Sequence, residues 1–595
     1  MTNQNKSKKI LLLFAFLMIG FFIFLSVMLY TALKSRHTPS LYTSDSSKAM
    51  RGNIISKDGF HLASTKKLYK AIVDNRNIDP DKRELFVQLF SIYSEMPPKA
   101  IRKRLARGKG SVVLSYNIST KQAQQLKSLA FELRRLKVFV PFELANGREI
   151  LHGLNIIESG ESREYPYGTL LTPLIGYPHK VEEDGYTRIH GVKGLEKQYD
   201  EELHPSQNGK QYGPRDVNSY MILNKESYTK PSIDGLDIKL TIPVTLQIRI
   251  EKMLDARKKK MGAREIMAVV MEAQSGAILA LASSNRFLPK AIKRSDYPSL
   301  NTNPLEYSFE PGSVLKPIIF SLLLEKNLVN PYDLVNGHNG RFKMGRKVIT
   351  DEHKEDWLSA ENVIVYSSNI GIAQLAQKLS GVDLYQGLID YGFATRSGID
   401  VPYEKKGSIP SINQLSDKIY KATSSYGYGL RTNLMQLLKA YNIFNNSGRM
   451  VNPYVVDSLI DARQRVMKTE HEAPIEIIST ATAERMKKIL KKTVREGTGT
   501  AARTAGLDVG GKTGTAHIAE KGRYVNKYHT SFIGFANDQK SRYTIGVVVV
   551  RPSLAYRFAA QSAAPVFKNI VDLMIDEGYL EPIEGATLPP LKSSH

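Results

Sequence analysis

The chain has 595 residues, 42% hydrophobic and 24% charged, which suits several domain-sized units and excludes a disordered polymer or a fibrous repeat. It has no cysteine, so disulfides, thiolate zinc sites, iron–sulfur clusters and a cysteine nucleophile are all excluded. Lys and Arg number 83 against 58 for Asp and Glu, a formal net charge of +25, which points to an acidic polymer or an anionic lipid surface without choosing between them.

The first element is an uncharged run over residues 10–33. About 20 apolar residues cross a hydrocarbon core of about 30 Å, so the run is long enough to span. A signal peptide would be shorter and end in an A-x-A-like site, whereas bulky Tyr30 stands two positions before Ala32. An uncleaved anchor is therefore expected. Lys6, Lys8 and Lys9 precede it while Lys34 and Arg36 follow, a balance that leans towards a cytoplasmic tail over residues 1–9. Mean hydropathy is −0.28, and no second stretch competes as a span. Residues 34 onward are expected on one side of a membrane.

Residues 34–230 are mixed and basic. Asp58-Gly59, Pro97-Pro98 and Asn146-Gly147 read as turns. Residues 99–109 carry Lys99, Arg102, Lys103, Arg104, Arg107 and Lys109, read as the solvated face of a short helix in preference to a patch for an anionic partner. A polar stretch over residues 206–231 marks a boundary. In residues 231–580, strands are expected at 238–242, 266–271 and 277–281, the last two turning at Gly276, with a helix at 247–260. Helices follow between 313 and 438. Strands return at 532–535 and 543–550, and a last helix covers 565–577. Strands at both ends with helices between imply an α+β domain whose sheet joins distant segments. Residues 581–595 read as a mobile tail.

Three short motifs could carry chemistry. Ser313 and Lys316 are three apart, so on a helix they share a face. After Pro311-Gly312 the serine would sit at the positive end of a helix dipole. A poorly solvated lysine loses its proton readily and can serve as its base. The spacing recurs at Ser64…Lys67 and Ser227…Lys230, so alone it is weak. Lys512-Thr513-Gly514-Thr515 is far more specific. It would continue as a strand through Ala516-His517-Ile518, with Gly514 admitting a close backbone and the threonines able to bond a carboxylate. Between these lies Ser367-Ser368-Asn369. It is preferred to Ser411-Ile412-Asn413 because a helix-like run follows it, whereas Ser411 follows Pro410 in a turn.

In this order the three motifs resemble the S-x-x-K, S-x-N and K-T-G set of penicillin-binding proteins and serine β-lactamases. Phe309-Glu310-Pro311-Gly312-Ser313 is similar to the family's approach to its nucleophile. Arg51-Gly52-Asn53-Ile54-Ile55, Arg163, Tyr165-Pro166, Ile175-Gly176 and Gly194-Leu195-Glu196 resemble the non-catalytic domain of class B members. Ser425-Tyr426-Gly427-Tyr428-Gly429 is more similar to the septal, cell-division branch than to the elongation branch. The family's Asp-Arg-x-Gly is Ser56-Lys57-Asp58-Gly59 here, so one ion pair usual in that domain is not expected. Ala559-Ala560 and Asn537 also depart from the pattern without touching the three motifs.

The resemblance implies an anchor at 10–33, a non-catalytic pedestal at 34–230 and a transpeptidase domain at 231–580, an antiparallel sheet flanked by helices. It implies a D,D-transpeptidase of the inner membrane, its bulk extracytoplasmic, that cross-links peptidoglycan stem peptides and is acylated by β-lactams. Ser313 would attack the carbonyl between two terminal D-alanines. Lys316 would be the base, Ser367 a proton relay, and Asn369 a hold on Lys316 and the substrate amide. Lys512 would keep Lys316 neutral and attract the terminal carboxylate, which Thr513 and Thr515 would bond beside Gly514. Backbone N–H groups of Ser313 and Thr515 would form the oxyanion hole. No metal or cofactor is implied. Implied partners are lipid-linked precursor strands, a membrane glycosyltransferase of the shape, elongation, division and sporulation type, and other division proteins. Nucleic acid is not among them, since charge alone suggests it and no binding module is present.

Among single residues, His517 is read as structural or surface, and Trp357 as packing in preference to substrate stacking. Tyr426 and Tyr428 could line the site or pack beneath it. An elongation-type enzyme, a D,D-carboxypeptidase or β-lactamase, and a tethered scaffold or β-lactam sensor remain alternative readings.

Overall fold

The computed structural model describes residues 3–33, 41–143, 149–183, 185–215, 221–520 and 522–588. The Asn146-Gly147 turn, Lys34, Arg36 and residues 589–595 of the expected tail lie outside them. The chain divides into two compact units, residues 1–48 with 207–232 and residues 49–206 with 233–595.

In the first unit, Asn3–Leu33 is one helix with an apolar stretch long enough to cross a membrane. Tyr42–Ser47, Gly209–Pro214 and Tyr228–Lys230 form an antiparallel three-stranded sheet. The polar stretch read as a boundary thus contributes two of these strands. Its short alternating segments carry too few apolar residues to announce a sheet.

In the second unit, a mixed sheet is built on His61–Asp74, which pairs with Ser111–Ile118 and with Asn155–Glu164. Its apolar face packs on the helices Arg83–Ser94 and Thr120–Arg135. Pro98–Leu105 is the short helix expected in the basic segment. The sheet does not stop near residue 230. Asp237–Leu240 pairs with Ile54–Ile55 on one side and with Val456–Ile460 on the other. Where the family's Asp-Arg pair is missing, Ser56 Oγ donates to Asp58 (2.5 Å), and Asp58 accepts the Val244 N–H (3.1 Å) at the start of helix Val244–Met261.

The second sheet has five antiparallel strands: β1 (Glu265–Glu272), β2 (Ile278–Ser283), β3 (Asp508–Glu520), β4 (Arg523–Asn537) and β5 (Arg542–Val550). Their spatial order is β2-β1-β5-β4-β3, so the sheet joins segments more than 200 residues apart and β3 forms one edge. Both faces are covered. Met267, Val269 and Met271 point into one core, Ile266, Ala268 and Val270 into the other. That is why β1 and β5 read as unbroken apolar runs and not as alternating ones. One face is covered by α1 (Lys316–Glu325), α2 (Asn369–Leu375), α3 (Leu434–Asn445) and much of α4 (Thr480–Glu496). The other carries Val244–Met261 and Ala563–Asp576.

Candidate active site

Ser313 lies in a 3-10 turn, Gly312–Leu315, that runs directly into α1. Two features hold the turn on the free edge of β3. Gly312 has φ +62°, and a side-chain carbon there would lie 3.1 Å from the Thr515 carbonyl oxygen and 3.2 Å from Ala516 Cβ. Tyr441 Oη, from fully buried α3, donates to the Val314 carbonyl (2.6 Å). Gly514 is required on the facing strand, since a side-chain carbon there would come within 2.9 Å of Val314 and 3.1 Å of the Pro311 carbonyl. The predicted proximity of Ser313 to the Lys512-Thr513-Gly514-Thr515 strand is therefore realised. The other Ser…Lys pairs are not helical: Ser64 and Lys67 lie in one strand, and Lys230 ends another.

Lys316 begins α1 and is 0% exposed. Its Nζ donates to the carbonyl of Ser367 (2.5 Å) and to Ser367 Oγ (3.2 Å). Ser367 can offer both groups because its backbone is left-handed, φ +64°, a costly conformation for a residue with a β-carbon. The loop is pinned by a residue the motif did not announce. Asp351, just after strand Lys347–Thr350, accepts the backbone N–H groups of Asn369 (2.6 Å) and Ile370 (3.1 Å) and the hydroxyl of Ser368. An acid at the start of α2 also meets the positive end of its dipole. The Asn369 side chain donates to the Thr350 carbonyl (3.0 Å) and makes no hydrogen bond to Lys316, so the expected hold on that lysine comes from Ser367 instead.

Lys512 is equally sealed, at 0% exposure. Its Nζ donates to the Thr513 carbonyl (3.1 Å), Thr513 Oγ1 (3.2 Å) and Thr498 Oγ1 (3.3 Å). Thr498 and Thr513 also share a hydroxyl hydrogen bond of 2.7 Å. Thr515 Oγ1 accepts the Ala559 N–H at 3.4 Å. Burial pushes the Lys316 amine down to about 7, against a partial pull upward from Asp351 and Glu352. Burial pushes Lys512 well below its ordinary value, and Lys316 adds repulsion. Among the described residues neither lysine has a carboxylate within 4 Å. Both amines are thus disfavoured in charged form, and at Lys512 the neighbouring Lys316 adds to the effect of burial.

A cavity of about 410 Å³ adjoins Asn369, with Tyr426, Tyr428, His517 and Tyr524 in its wall. Tyr428 thus lines the site, and its Oη accepts the His517 N–H (3.2 Å). Tyr426 does both things weighed for it, lining the cavity while 8% exposed. Of the eight expected residues only Asn369 belongs to the cavity wall. Trp357 does not pack: it is 59% exposed at the start of a short edge strand, Trp357–Ser359. Ser411 is not in a turn but caps helix Ile412–Ser416 through a reciprocal Ser411–Gln414 bond pair. Asp351 and Thr498 were missed in the sequence. Thr498 had a faint signal in Gly497-Thr498-Gly499, and Asp351 had none.

A helix-covered antiparallel sheet with a Ser-x-x-Lys turn against a Lys-Thr-Gly edge strand is the arrangement of a penicillin-recognising transpeptidase domain. The chain belongs to the penicillin-binding protein transpeptidase family: the penicillin binding protein transpeptidase domain matches residues 266–572, and the penicillin-binding protein dimerisation domain matches residues 46–240. With both domains it is a class B penicillin-binding protein, and its activity is peptidoglycan D,D-transpeptidation. It is 27% identical to stage V sporulation protein D of Bacillus subtilis over 540 residues, covering 88% of this chain and 77% of that one. It is 25% identical to the probable peptidoglycan D,D-transpeptidase PenA of Neisseria meningitidis over 604 residues, covering 100% and 96%. Its fold is similar to penicillin binding protein 2X of Streptococcus thermophilus, with a TM-score of 0.75 at 20% identity over 90% of this chain and 81% of that one. It is also similar to penicillin binding protein 3 of Mycobacterium tuberculosis complexed with ampicillin, with a TM-score of 0.64 at 24% identity over 92% and 99%.

Proposed function

We propose that Ser313 is the nucleophile of this transpeptidase and Lys316 its base. The observation that carries the assignment is a fully buried amine, one turn from Ser313, with its affinity for a proton lowered to about 7 and its Nζ held by Ser367. Such an amine is neutral in a large fraction of molecules near neutrality and can accept the Ser313 proton as Oγ bonds to the carbonyl carbon of the penultimate D-alanine. The carbon–nitrogen bond to the terminal D-alanine then breaks, and the proton passes through Ser367 to the leaving amine. An amine of a second stem attacks the ester, loses its proton to the same base, and restores Ser313. The backbone N–H groups of Ser313 and Thr515 receive the oxyanion, a contribution of about 3–4 kcal/mol per donor.

Lys512 acts through its own deficit. It lacks an acid, so an arriving substrate carboxylate supplies the missing counter-charge and draws a proton onto it. Thr513 and Thr515, placed on either side of Gly514, exchange their internal hydrogen bonds for that carboxylate. Asn369, at the cavity wall, orients the donor amide, and the aromatic wall of Tyr428 and Tyr524 receives the rest of the stem. β-Lactams acylate Ser313 as substrate mimics, as the ampicillin and aztreonam complexes of the Mycobacterium tuberculosis relative suggest.

The apolar helix Asn3–Leu33 is the uncleaved anchor, with residues 1–9 cytoplasmic and the remainder outside the inner membrane. Residues 34–230 serve as pedestal and 231–580 as catalytic domain. The work is septal wall synthesis, a reading supported by Ser425-Tyr426-Gly427-Tyr428-Gly429, alongside a membrane glycosyltransferase and other division proteins. Labelled penicillin followed by peptide mapping tests the nucleophile: the label belongs on Ser313, and label elsewhere defeats the assignment. Donor and acceptor stems supplied together test the reaction, and release of water-only product would make this a carboxypeptidase. Depletion in cells tests the site of action, with filaments expected and loss of rod shape pointing to elongation.

A further inference from the structure

The three-stranded sheet of the first unit has two unlike faces. Its register sets Tyr212 opposite Ser44 and Tyr228, Lys210 opposite Ser46 and Lys230, and Tyr42 opposite Pro214. Directly opposed residues share a face, and the next residue along each strand points to the other. One face therefore carries Tyr42, Tyr212, Tyr228, Lys210 and Lys230, all exposed, with the Tyr42 and Tyr212 rings stacked at 5.4 Å. The other carries Thr43, Asp45, Gln211 and Thr229 beside Gly209 and Gly213, with no aromatic or basic side chain. At the Tyr42 end stand three exposed apolar residues, Leu41 (75% exposed), Ile222 and Leu223 (72% exposed). Backbone bonds gather them there: the Leu41 carbonyl accepts the Arg215 N–H (2.9 Å), and the Ile222 N–H donates to the Pro214 carbonyl (2.7 Å).

An exposed apolar cluster of this kind marks a contact surface. Its place in the chain says with what. Leu41 follows Leu33, the last residue of the apolar helix, by eight positions. That length of chain reaches about 29 Å at most, so the sheet is tethered close to whatever the helix spans. Its chemistry agrees. Tyrosine joins an apolar body to a polar tip, which suits the layer where hydrocarbon meets head groups. Lys210, Lys225 and Lys230 are exposed. Asp45 is turned to the opposite face, and Glu226 accepts from the Tyr42 hydroxyl (3.3 Å). The charge of the tyrosine face thus complements an anionic lipid surface. Phenols and amines on one flat face match a wet anionic boundary better than a dry protein groove.

We propose that this sheet face lies on the extracytoplasmic head-group layer of the membrane, with Leu41, Ile222 and Leu223 entering the interface and Lys210 and Lys230 facing lipid phosphates. The inference rests on the reading of Asn3–Leu33 as an uncleaved anchor. It gives the chain a second membrane attachment and is independent of the role assigned to Ser313.

The natural chain has no cysteine, so Ser44→Cys on the tyrosine face and Thr229→Cys on the opposite face each give a single labelling site. The full chain, bimane-labelled at one or the other, is reconstituted into vesicles of phosphatidylcholine alone or with an equal part of phosphatidylglycerol. Quenching by a head-group nitroxide lipid and by aqueous iodide is then read. In the anionic vesicles the nitroxide should quench the Ser44→Cys label at least about twofold more than the Thr229→Cys label, and iodide should do the reverse. The difference should shrink in phosphatidylcholine alone, in Lys210→Glu with Lys230→Glu, and in Leu41→Ser with Leu223→Ser. Penicillin acylation should stay unchanged in these variants, which shows that the chain remains folded. Equal iodide access at the two positions overturns the proposal and leaves the face to a protein partner. A difference indifferent to lipid charge and to both pairs of substitutions overturns it as well. Chain that does not float with the vesicles defeats the anchor reading together with the proposal, whereas floating chain with equal access defeats the proposal alone.

Discussion

Arg51 and Lys316 are both sealed from solvent, but their surroundings are opposite. Arg51 donates to Glu196 (2.9 Å) and Asp200 (2.7 Å), and Arg163 reaches the same Glu196 (2.7 Å). Nearby, Arg188 meets Glu161 at 2.6 Å. Two acids answer two arginines, and the donors are mostly used. Around Lys316 and Lys512 the donors are used too, but on carbonyls and hydroxyls, with no carboxylate in contact. A buried ion pair can offset its desolvation, whereas two buried amines without an acid can do so only by giving up protons. The first arrangement fixes a shape and needs no particular pH. The second is a poised one, and its cost is reasonable only where a proton or an anion must be handled.

The sharpest way to break this contrast is to remove the poised amine. Lys316→Met keeps the volume and deletes the base. Acylation by a fluorescent penicillin should fall about 10³-fold or more, within the range general bases contribute. Ser313→Ala should abolish it. The melting temperature of Lys316→Met should be equal to or higher than that of the parent, since a poorly solvated amine has been replaced by an apolar chain. A clear loss of stability would make Lys316 a structural residue like Arg51.

The complementary substitution belongs to the pedestal. Glu196→Gln strands Arg51 and Arg163 without their shared acid, and a loss of about 3–5 kcal/mol is expected in denaturant unfolding. Protein that still folds should acylate at the parental rate per folded molecule. A variant with full stability and impaired acylation would reverse the contrast.

Asp351 lies between these cases, an acid that holds a loop of the site. In Asp351→Asn the charge-assisted bonds to the Asn369 and Ile370 N–H groups weaken, at about 1–2 kcal/mol in total. Acylation should drop roughly tenfold through misplacement of Ser367 and Asn369, with little change in melting temperature. Unchanged acylation would mean that α2 holds the loop without it.

What could be read beforehand follows the range of the forces involved. β1, β2 and β5 were legible because burial on both faces leaves continuous apolar runs such as Ile266-Met271. The three motifs were legible because their members are close in sequence. Asp351 was not, because capping a helix 18 residues away leaves no periodic trace. The pairing of Asp237–Leu240 with Val456–Ile460 was hidden for the same reason. Ser411 was misread because a Pro followed by a Ser signals a turn and a helix cap alike, and Gln414 decides between them. Trp357 was misread because residue type predicts burial only on average. The weakened proton affinity of Lys316 and Lys512 depends on burial of both, which no local spacing encodes.

An effect no larger than that of Asp351→Asn is the most direct reading of the poised pair. The Lys316 amine is lowered from 10.5 to about 7, so it is mostly charged at pH 6 and mostly neutral at pH 8. Second-order acylation should rise about tenfold across that interval and then level off. The same shift enters stability with a defined sign. In the unfolded chain the lysine keeps its proton up to about 10.5, whereas in the folded protein it is lost near 7. Between these values the unfolded state binds more protons, so this lysine makes the fold more stable as pH rises. Its penalty is complete below pH 7 and gone above the unfolded value. Lys316→Met lacks the term, so its stability advantage over the parent should be largest near pH 6 and shrink towards pH 10. A pH-independent difference, or acylation that falls between pH 6 and 8, would mean that the amine enters the reaction charged and that another group takes the Ser313 proton.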